Sequence, residues 1–246
     1  MDLIQKIKEK KIFSQLPNSI IERALDKSRG DVKVARALLR KYFGVFLTNK
    51  ILKAKILDEE ILKKHLSTKE RDYPELYAQI IKNEKSVVDL GAGINGFSYG
   101  YFPKNVDYVG IEGVGQLVKL MNDYFKQKCF DALAIQGDLF NLDFVLDILK
   151  KQKKPRVVFM FQIVDALEFF GKTFSKEFIL KIFKECEKIV LSFAEGSLSG
   201  RTKFKIKRKW LEEFIDENFY ILDTFSIKKE KFIILSETPH SKLWGI

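Results

Sequence analysis

Two cysteines, two histidines and five prolines in 246 residues exclude several kinds of chemistry at the outset. Cys129 and Cys186 are isolated, with no second thiol at redox or metal spacing, and His65 and His240 are the only histidines, so neither a disulfide scaffold nor a structural zinc site is expected. No run approaches the roughly 18 to 20 uncharged apolar residues of a membrane helix. The opening MDLIQKIKEKKIF alternates charge with bulk instead of forming the apolar region of a signal peptide, and the expectation is a cytoplasmic protein without a membrane partner. Internal repeats and low-complexity segments are also lacking. What is present, 46% hydrophobic and 31% charged residues, describes an apolar core under a charged surface.

Acidic residues are the minority, and their deficit is uneven. Residues 1–83 hold 19 Lys+Arg against 11 Asp+Glu, which is +8 of the net +11; residues 84–246 hold 25 against 22. An excess of positive charge attracts phosphate backbones regardless of sequence. A thermophile surface laced with ion pairs accounts for many charges but not for an excess of one sign.

The same boundary divides the periodicities. Residues 1–83 read as helices: Ile20, Ile21, Ala24 and Leu25, then Val34, Ala35, Leu38 and Leu39, recur at three and four, and ILKAKILDEEILKKHL follows as another amphipathic stretch. Ser19 with Glu22 forms a capping box, and Asp31 is placed to cap the next helix. From residue 84 the runs SVVDL, VDYVGI, ALAIQ, RVVFMF and KIVLSF alternate with helical or loop segments, the pattern of a parallel sheet covered on both faces. FYILDTFSI, a polar turn KKEK and FIILSE then read as a hairpin. An α/β doubly wound sheet closed by an antiparallel pair, preceded by an all-α segment, resembles the class I (Rossmann-like) methyltransferase fold.

The first run leads into Gly91-Ala92-Gly93-Ile94-Asn95-Gly96, a GxGxxG turn that brings backbone close to a ligand. Its neighbours choose between cofactors. Asp89 precedes the first glycine by two residues, a carboxylate that suits the ammonium of S-adenosyl-L-methionine and would repel a pyrophosphate. Glu112 ends the second run, where a carboxylate grips ribose hydroxyls, and Asp138 follows the third, where the adenine amino group is held. Solvated acids capping helices explain any one of these but not all three together with Gly91 and Gly93.

Three further segments carry a resemblance to a family. His65-Leu66-Ser67-Thr68-Lys69-Glu70-Arg71 with Tyr73-Pro74-Glu75-Leu76-Tyr77, then VVDLGAGINGFSY, then Ser197-Leu198-Ser199-Gly200-Arg201, resemble in order and spacing the HASTRER segment, Gly-rich turn and SLGGR loop of the aminoglycoside-resistance type of small-subunit ribosomal RNA methyltransferases. The chain is similar to a relative of that family from an archaeon or thermophile. The resemblance implies that residues 1–83 dock the small ribosomal subunit, that residues 84–246 are the S-adenosylmethionine-dependent catalytic domain, that Arg71 reaches the donor's carboxylate, and that the acceptor is N7 of a guanine in the decoding region of 16S rRNA. For Arg71 a surface ion pair with Glu70 or Glu75 is the alternative, and for His65 a capping or packing role.

The segment after the fourth run departs from the family. In place of a KxxPxLE pattern it offers Gln162 and Asp165. Guanine N7 has a free lone pair and needs little beyond orientation. The conjugated N4 amine of cytosine needs acceptors that hold it and take its proton, which Gln162 and Asp165 supply, and the balance leans slightly to the amine. Asp165 as a plain helix cap is the alternative. Beyond Arg201 lie six basic residues in ten with Phe204 and Trp210 interleaved, from which Arg201, Lys203 and Lys205 are the candidates for RNA contact and Trp210, with Leu211 and Phe214, for the core. Lys150, Lys151, Lys153, Lys154 and Arg156 read as a solvated turn. The expectation is a monomeric enzyme without metal that methylates small-subunit rRNA. An inactive RNA-binding assembly factor and a small-molecule methyltransferase are the alternatives.

Overall fold

A computed structural model of the chain describes residues 2–44, 48, 51, 57–65, 68–171, 173–195 and 209–236. Seven strands form one sheet: β1 (Ser86–Leu90), β2 (Asp107–Glu112), β3 (Ala132–Gln136), β4 (Arg156–Phe161), β5 (Lys188–Ala194), β6 (Tyr220–Ile227) and β7 (Glu230–Ser236). Their order is β3-β2-β1-β4-β5-β7-β6, with the first five parallel and β7 antiparallel to both neighbours. From β1 the chain winds outward to β2 and β3, then returns to lay β4 on the other side. The carboxyl ends of β1 and β4 therefore open a crevice, the place where this class of sheet receives ligands.

The central strands are buried along their whole length, β1 as SVVDL and β4 as RVVFMF, because helices cover both faces and leave no polar side. Successive side chains point to opposite faces, so Val87 and Phe159 belong to one core while Val88 and Val158 belong to the other. The second core is closed by α6 (Leu142–Lys150), α7 (Val164–Phe170), α8 (Phe174–Phe183) and α9 (Lys209–Asn218). The first takes α4 (Tyr73–Ile80) and α5 (Gly115–Gln127). It also takes the amino-terminal helices α1 (Leu3–Lys8), α2 (Asn18–Lys27) and α3 (Val32–Tyr42). Ile7, Phe13, Ile20, Ile21, Ala35 and Leu39 sit in one continuous cluster with the sheet residues, so the leading segment is packed onto the sheet.

Several local expectations change. The capping box of Ser19 and Glu22 does not form: α2 begins at Asn18, and Pro17, whose φ of −54° already suits a helix start, holds the cap position without a side-chain bond. Asp31 does cap α3, accepting from the Lys33 and Val34 amides at 2.8 and 3.0 Å. The Gly-rich turn opens a short 3-10 segment, Asn95–Tyr101. Arg156 is not solvated: at 5% exposure it donates to the carbonyls of Gln152 and Glu185, closing chain ends beneath the sheet. In KKEK only Lys228 and Lys229 turn, with Lys228 at φ +53°, and Glu230 already pairs with Ile227 inside the hairpin.

Candidate functional site

Asp89, Glu112 and Asp138, from three neighbouring strand ends, line one cleft of about 430 Å³ at the crevice between β1 and β4. Asp89 is 1% exposed. Its Oδ2 accepts from Asn95 Nδ2 at 2.8 Å and from the Tyr108 hydroxyl at 2.9 Å. Burial raises its carboxyl pKa to about 6, in spite of those two bonds and the charge of Arg71. A carboxylate stripped of water in this way is a strong partner for a ligand cation that restores its solvation.

Glu112 is gripped by backbone. Gly93 donates its amide to Oε2 at 2.8 Å, and Val114 donates to Oε1 at 2.9 Å. Burial pushes the Glu112 carboxyl up, and the amides of Val114, Gly93 and Gly113 oppose it. A carboxylate accepts about four bonds, so acceptor capacity is left for a hydroxyl donor. The grip also fixes the turn: Gly91 and Gly93 have φ of +71° and +56°, and a Cβ on Gly91 would lie 2.3 Å from Ile163 Cδ1. Asp138 accepts from the Phe140 amide at 3.0 Å and faces Arg23 of α2, whose Nε is 3.8 Å from Oδ2. The Arg23 guanidinium lies 4.3 Å above the Phe140 ring. Ile20, Tyr42 and Phe43, on or just past the amino-terminal helices, line the cleft as well, so the leading segment walls the same site.

Arg71 lies in the cleft at 5% side-chain exposure, and its nearest acid is neither Glu70 nor Glu75. Nε and Nη2 donate to the two oxygens of Glu230 at 2.7 and 2.8 Å, and Nη1 donates to Asn95 Oδ1 at 3.2 Å. These bonds use three of the five N–H donors of the guanidinium. Burial would raise the Glu230 carboxyl, but Arg71 together with bonds from Ser192 and Gln162 holds it below the ordinary range. A chain of bonds thus runs Glu230–Arg71–Asn95–Asp89–Tyr108 through the floor of the cleft.

Gln162 and Asp165 also line the cleft, on the turn from β4 into α7. Gln162 adopts φ +57°, its amide donates to the Ser192 carbonyl at 3.1 Å, and its side chain is drawn toward Glu230. Asp165 stands in the first turn of α7. His65 follows the 3-10 segment Glu59–Lys64, borders the cleft and accepts from Thr68 and Lys69 with its carbonyl. Leu211 and Phe214 are buried in the second core, with Trp210 packed against it. Arg201, Lys203, Lys205 and Phe204 lie outside the described residues, as do Leu66, Ser67 and the segment Ser197–Gly200.

Two residues that hold members of the cleft, Glu230 against Arg71 and Arg23 against Asp138, escape a reading of the sequence. Glu230 looks like one more charge in a lysine-rich turn, and only the pairing of β5 with β7 brings it beside Ser192 and Arg71. Arg23 reads as a surface residue of an amphipathic helix. No periodicity announces either one.

No family model matches the chain, and no curated protein matches it in sequence. Solved structures do match it along almost its whole length. It superposes on the 16S rRNA methylase RmtB with a TM-score of 0.76 at 19% identity, covering 96% of this chain and 98% of that one. An rRNA methylase from Escherichia coli gives 0.76 at 19% identity, over 96% of this chain and 99% of that one. The 16S rRNA methyltransferase RmtF in complex with S-adenosyl-L-homocysteine gives 0.74 at 19% identity, over 97% of this chain and all of that one. The likeness establishes a common fold, including the amino-terminal helices.

Proposed function

We propose that the chain is an S-adenosyl-L-methionine-dependent methyltransferase that modifies a base nitrogen of small-subunit rRNA. The observation that carries the reading is the convergence of Asp89, Glu112, Asp138 and the Gly91–Gly93 turn on one cleft at the crevice of the sheet. The donor set fits the group: a buried carboxylate for an ammonium, a backbone-held carboxylate with acceptor capacity left for a ribose hydroxyl, and a carboxylate beside an amide for an adenine amino group. When bound, S-adenosylmethionine supplies an electrophilic methyl on a positively charged sulfur. The fold shared with RmtB and RmtF, which act on 16S rRNA by description, supports the choice of substrate, as do the basic amino-terminal helices beside the cleft.

The chain's own work is positioning. Asp89 and Arg71 form opposite charges at one end of the cleft, bridged by Asn95, and they orient an amino acid group between them. Donor capacity of Arg71 beyond its bonds to Glu230 and Asn95 serves the carboxylate of that group. On the acceptor side Gln162 and Asp165 both line the cleft, where they can hold an exocyclic amine and Asp165 can receive its proton. Cytidine N4 and guanosine N7 are the two acceptors this arrangement serves, the first through Gln162 and Asp165 and the second through orientation alone.

The decisive experiment is labelled methyl transfer to purified small subunits lacking the modification, followed by nucleoside separation and mass spectrometry. Label on cytidine N4 or guanosine N7 identifies the acceptor. Donor binding without transfer to subunits favours an RNA-binding assembly factor or a small-molecule enzyme and removes the reading.

A further inference from the structure

A ladder of aromatic rings climbs from the inside of the cleft to the surface where the end of α3 meets α7. Phe170 is 6% exposed, and Phe43 tilts against it with ring centroids 5.8 Å apart. Tyr42 meets Phe170 edge-on at 5.2 Å and stacks on Phe169 at 4.8 Å with 25° between the planes. Above this outer pair stand two cations. Lys41 Nζ is 4.9 Å from the Tyr42 ring and 5.9 Å from Phe169, and Lys27 of α2 is 5.9 Å from Phe169.

Packing buries the inner rung Phe170, and it covers the outer pair Tyr42 and Phe169 only in part. Val164, Leu167 and Phe170 recur every third residue and form the buried stripe of α7, so Phe169 lies off that stripe and stays partly exposed. Some exposed lysines of the helices pair with an acid three or four residues away, as in Lys63–Glu60, Lys119–Asp123 and Lys181–Glu177, while Lys176 lies over the Trp210 and Phe214 rings. Lys27 and Lys41 are of the second kind, and theirs is the ring stack that borders the cleft. A flat aromatic stack flanked by cations, continuous with a cleft that also holds Asp165, complements a planar ring attached to phosphates.

We infer that the Tyr42–Phe169 stack is the landing surface for one unpaired nucleotide of the acceptor RNA. Its base lies on the ring pair, Lys27 and Lys41 meet the adjoining phosphates, and the base passes along Phe170 toward Asp165. The inference rests on the proposed rRNA methyltransferase activity and deepens it by assigning the surface that receives the unpaired nucleotide. An acidic protein segment would meet the lysines but has no use for the stack.

The test is steady-state methyl transfer to unmodified small subunits, with donor affinity measured separately by calorimetry using S-adenosylhomocysteine. Phe169→Leu keeps the apolar bulk and removes the π face; it should raise KM for subunits about tenfold at unchanged donor affinity. Phe169→Trp, with a larger face, should lower that KM. Lys41→Gln should reduce the slope of log affinity against log salt by about one. An unchanged KM in both Phe169 variants overturns the inference and leaves the methyltransferase reading standing. Parallel loss of donor affinity in Phe169→Leu also overturns it, because the ring then only shapes the donor cleft. If the wild-type protein binds donor but transfers nothing to subunits, the proposed function falls, and the landing surface with it.

Discussion

Arg71 and Glu230, 159 positions apart in the chain, close on one another in a bidentate fork, with Nε to Oε2 at 2.7 Å and Nη2 to Oε1 at 2.8 Å. Both side chains are below a tenth exposed. The pair joins the segment that precedes the sheet to the last hairpin and places the guanidinium against Asn95, two bonds from Asp89. Glu230→Gln keeps the shape and removes the charge, leaving Arg71 buried without its counter-ion. The expected loss is about 3 to 5 kcal/mol of stability, read by urea unfolding at pH 7. Because the folded pKa of Glu230 is lowered, its contribution is present above the ordinary carboxylate range and fades as pH falls through the folded value. The gap between wild type and variant should therefore shrink in acid.

Asp89 works in the opposite sense. Its pKa is about 6 in the folded protein, so its favourable contribution is complete below pH ~4 and is lost as pH rises through 6. Asp89→Asn removes a buried charge and should stabilise the protein above pH 7 by up to about 3 kcal/mol, while abolishing donor binding. Chemical unfolding at pH 5 and 7.5, with calorimetry for the donor, checks both halves. In the wild type, donor affinity should fall as pH drops below 6. A variant less stable than wild type at pH 7.5 would contradict burial as the cause of the shift.

Gly91→Ala combines a φ of +71° with a Cβ 2.3 Å from Ile163 Cδ1. The backbone part costs roughly 1 to 2 kcal/mol, and the overlap adds to it. Donor affinity should fall sharply, and Ile163→Ala in the same chain should restore only the steric share. Full restoration by the second substitution would mean that the left-handed conformation is dispensable.

Arg23→Ala tests whether the amino-terminal helices belong to the donor site. Loss of the cation over Phe140 and of the partner of Asp138 should weaken donor affinity about threefold, with little change in unfolding midpoint. Unchanged affinity would make Arg23 a surface residue. The walls supplied by Ile20, Tyr42 and Phe43 also mean that deleting residues 1–83 removes part of the cleft itself and says nothing of RNA docking alone.

Asp165→Ala separates the two acceptors. With cytidine N4 as acceptor, methyl transfer should drop about a hundredfold or more at unchanged donor affinity, the usual scale of a lost general base. With guanosine N7, transfer should stay near normal.

Local pattern was enough for the sheet. Continuous apolar runs such as SVVDL and RVVFMF belong to strands buried on both faces, and the interval between them sets the βα alternation, so the α/β architecture and the closing hairpin were legible in the chain. The convergence of Asp89, Glu112 and Asp138 on one cleft was legible for the same reason: each stands at or near a strand's carboxyl end, and parallel strands bring those ends together. Helix starts were legible where a side chain decides them, as at Asp31, and misread where the backbone does, as at Pro17. What tertiary structure alone decided is the company each charge keeps. Whether Arg71 meets Glu75 four residues away or Glu230 across the molecule depends on the register of β7 against β5, and the sequence carries no local trace of it. The ring ladder of Tyr42, Phe169 and Phe170 exists for the same reason, because two amphipathic segments with separate periodicities meet only once both have packed on the sheet.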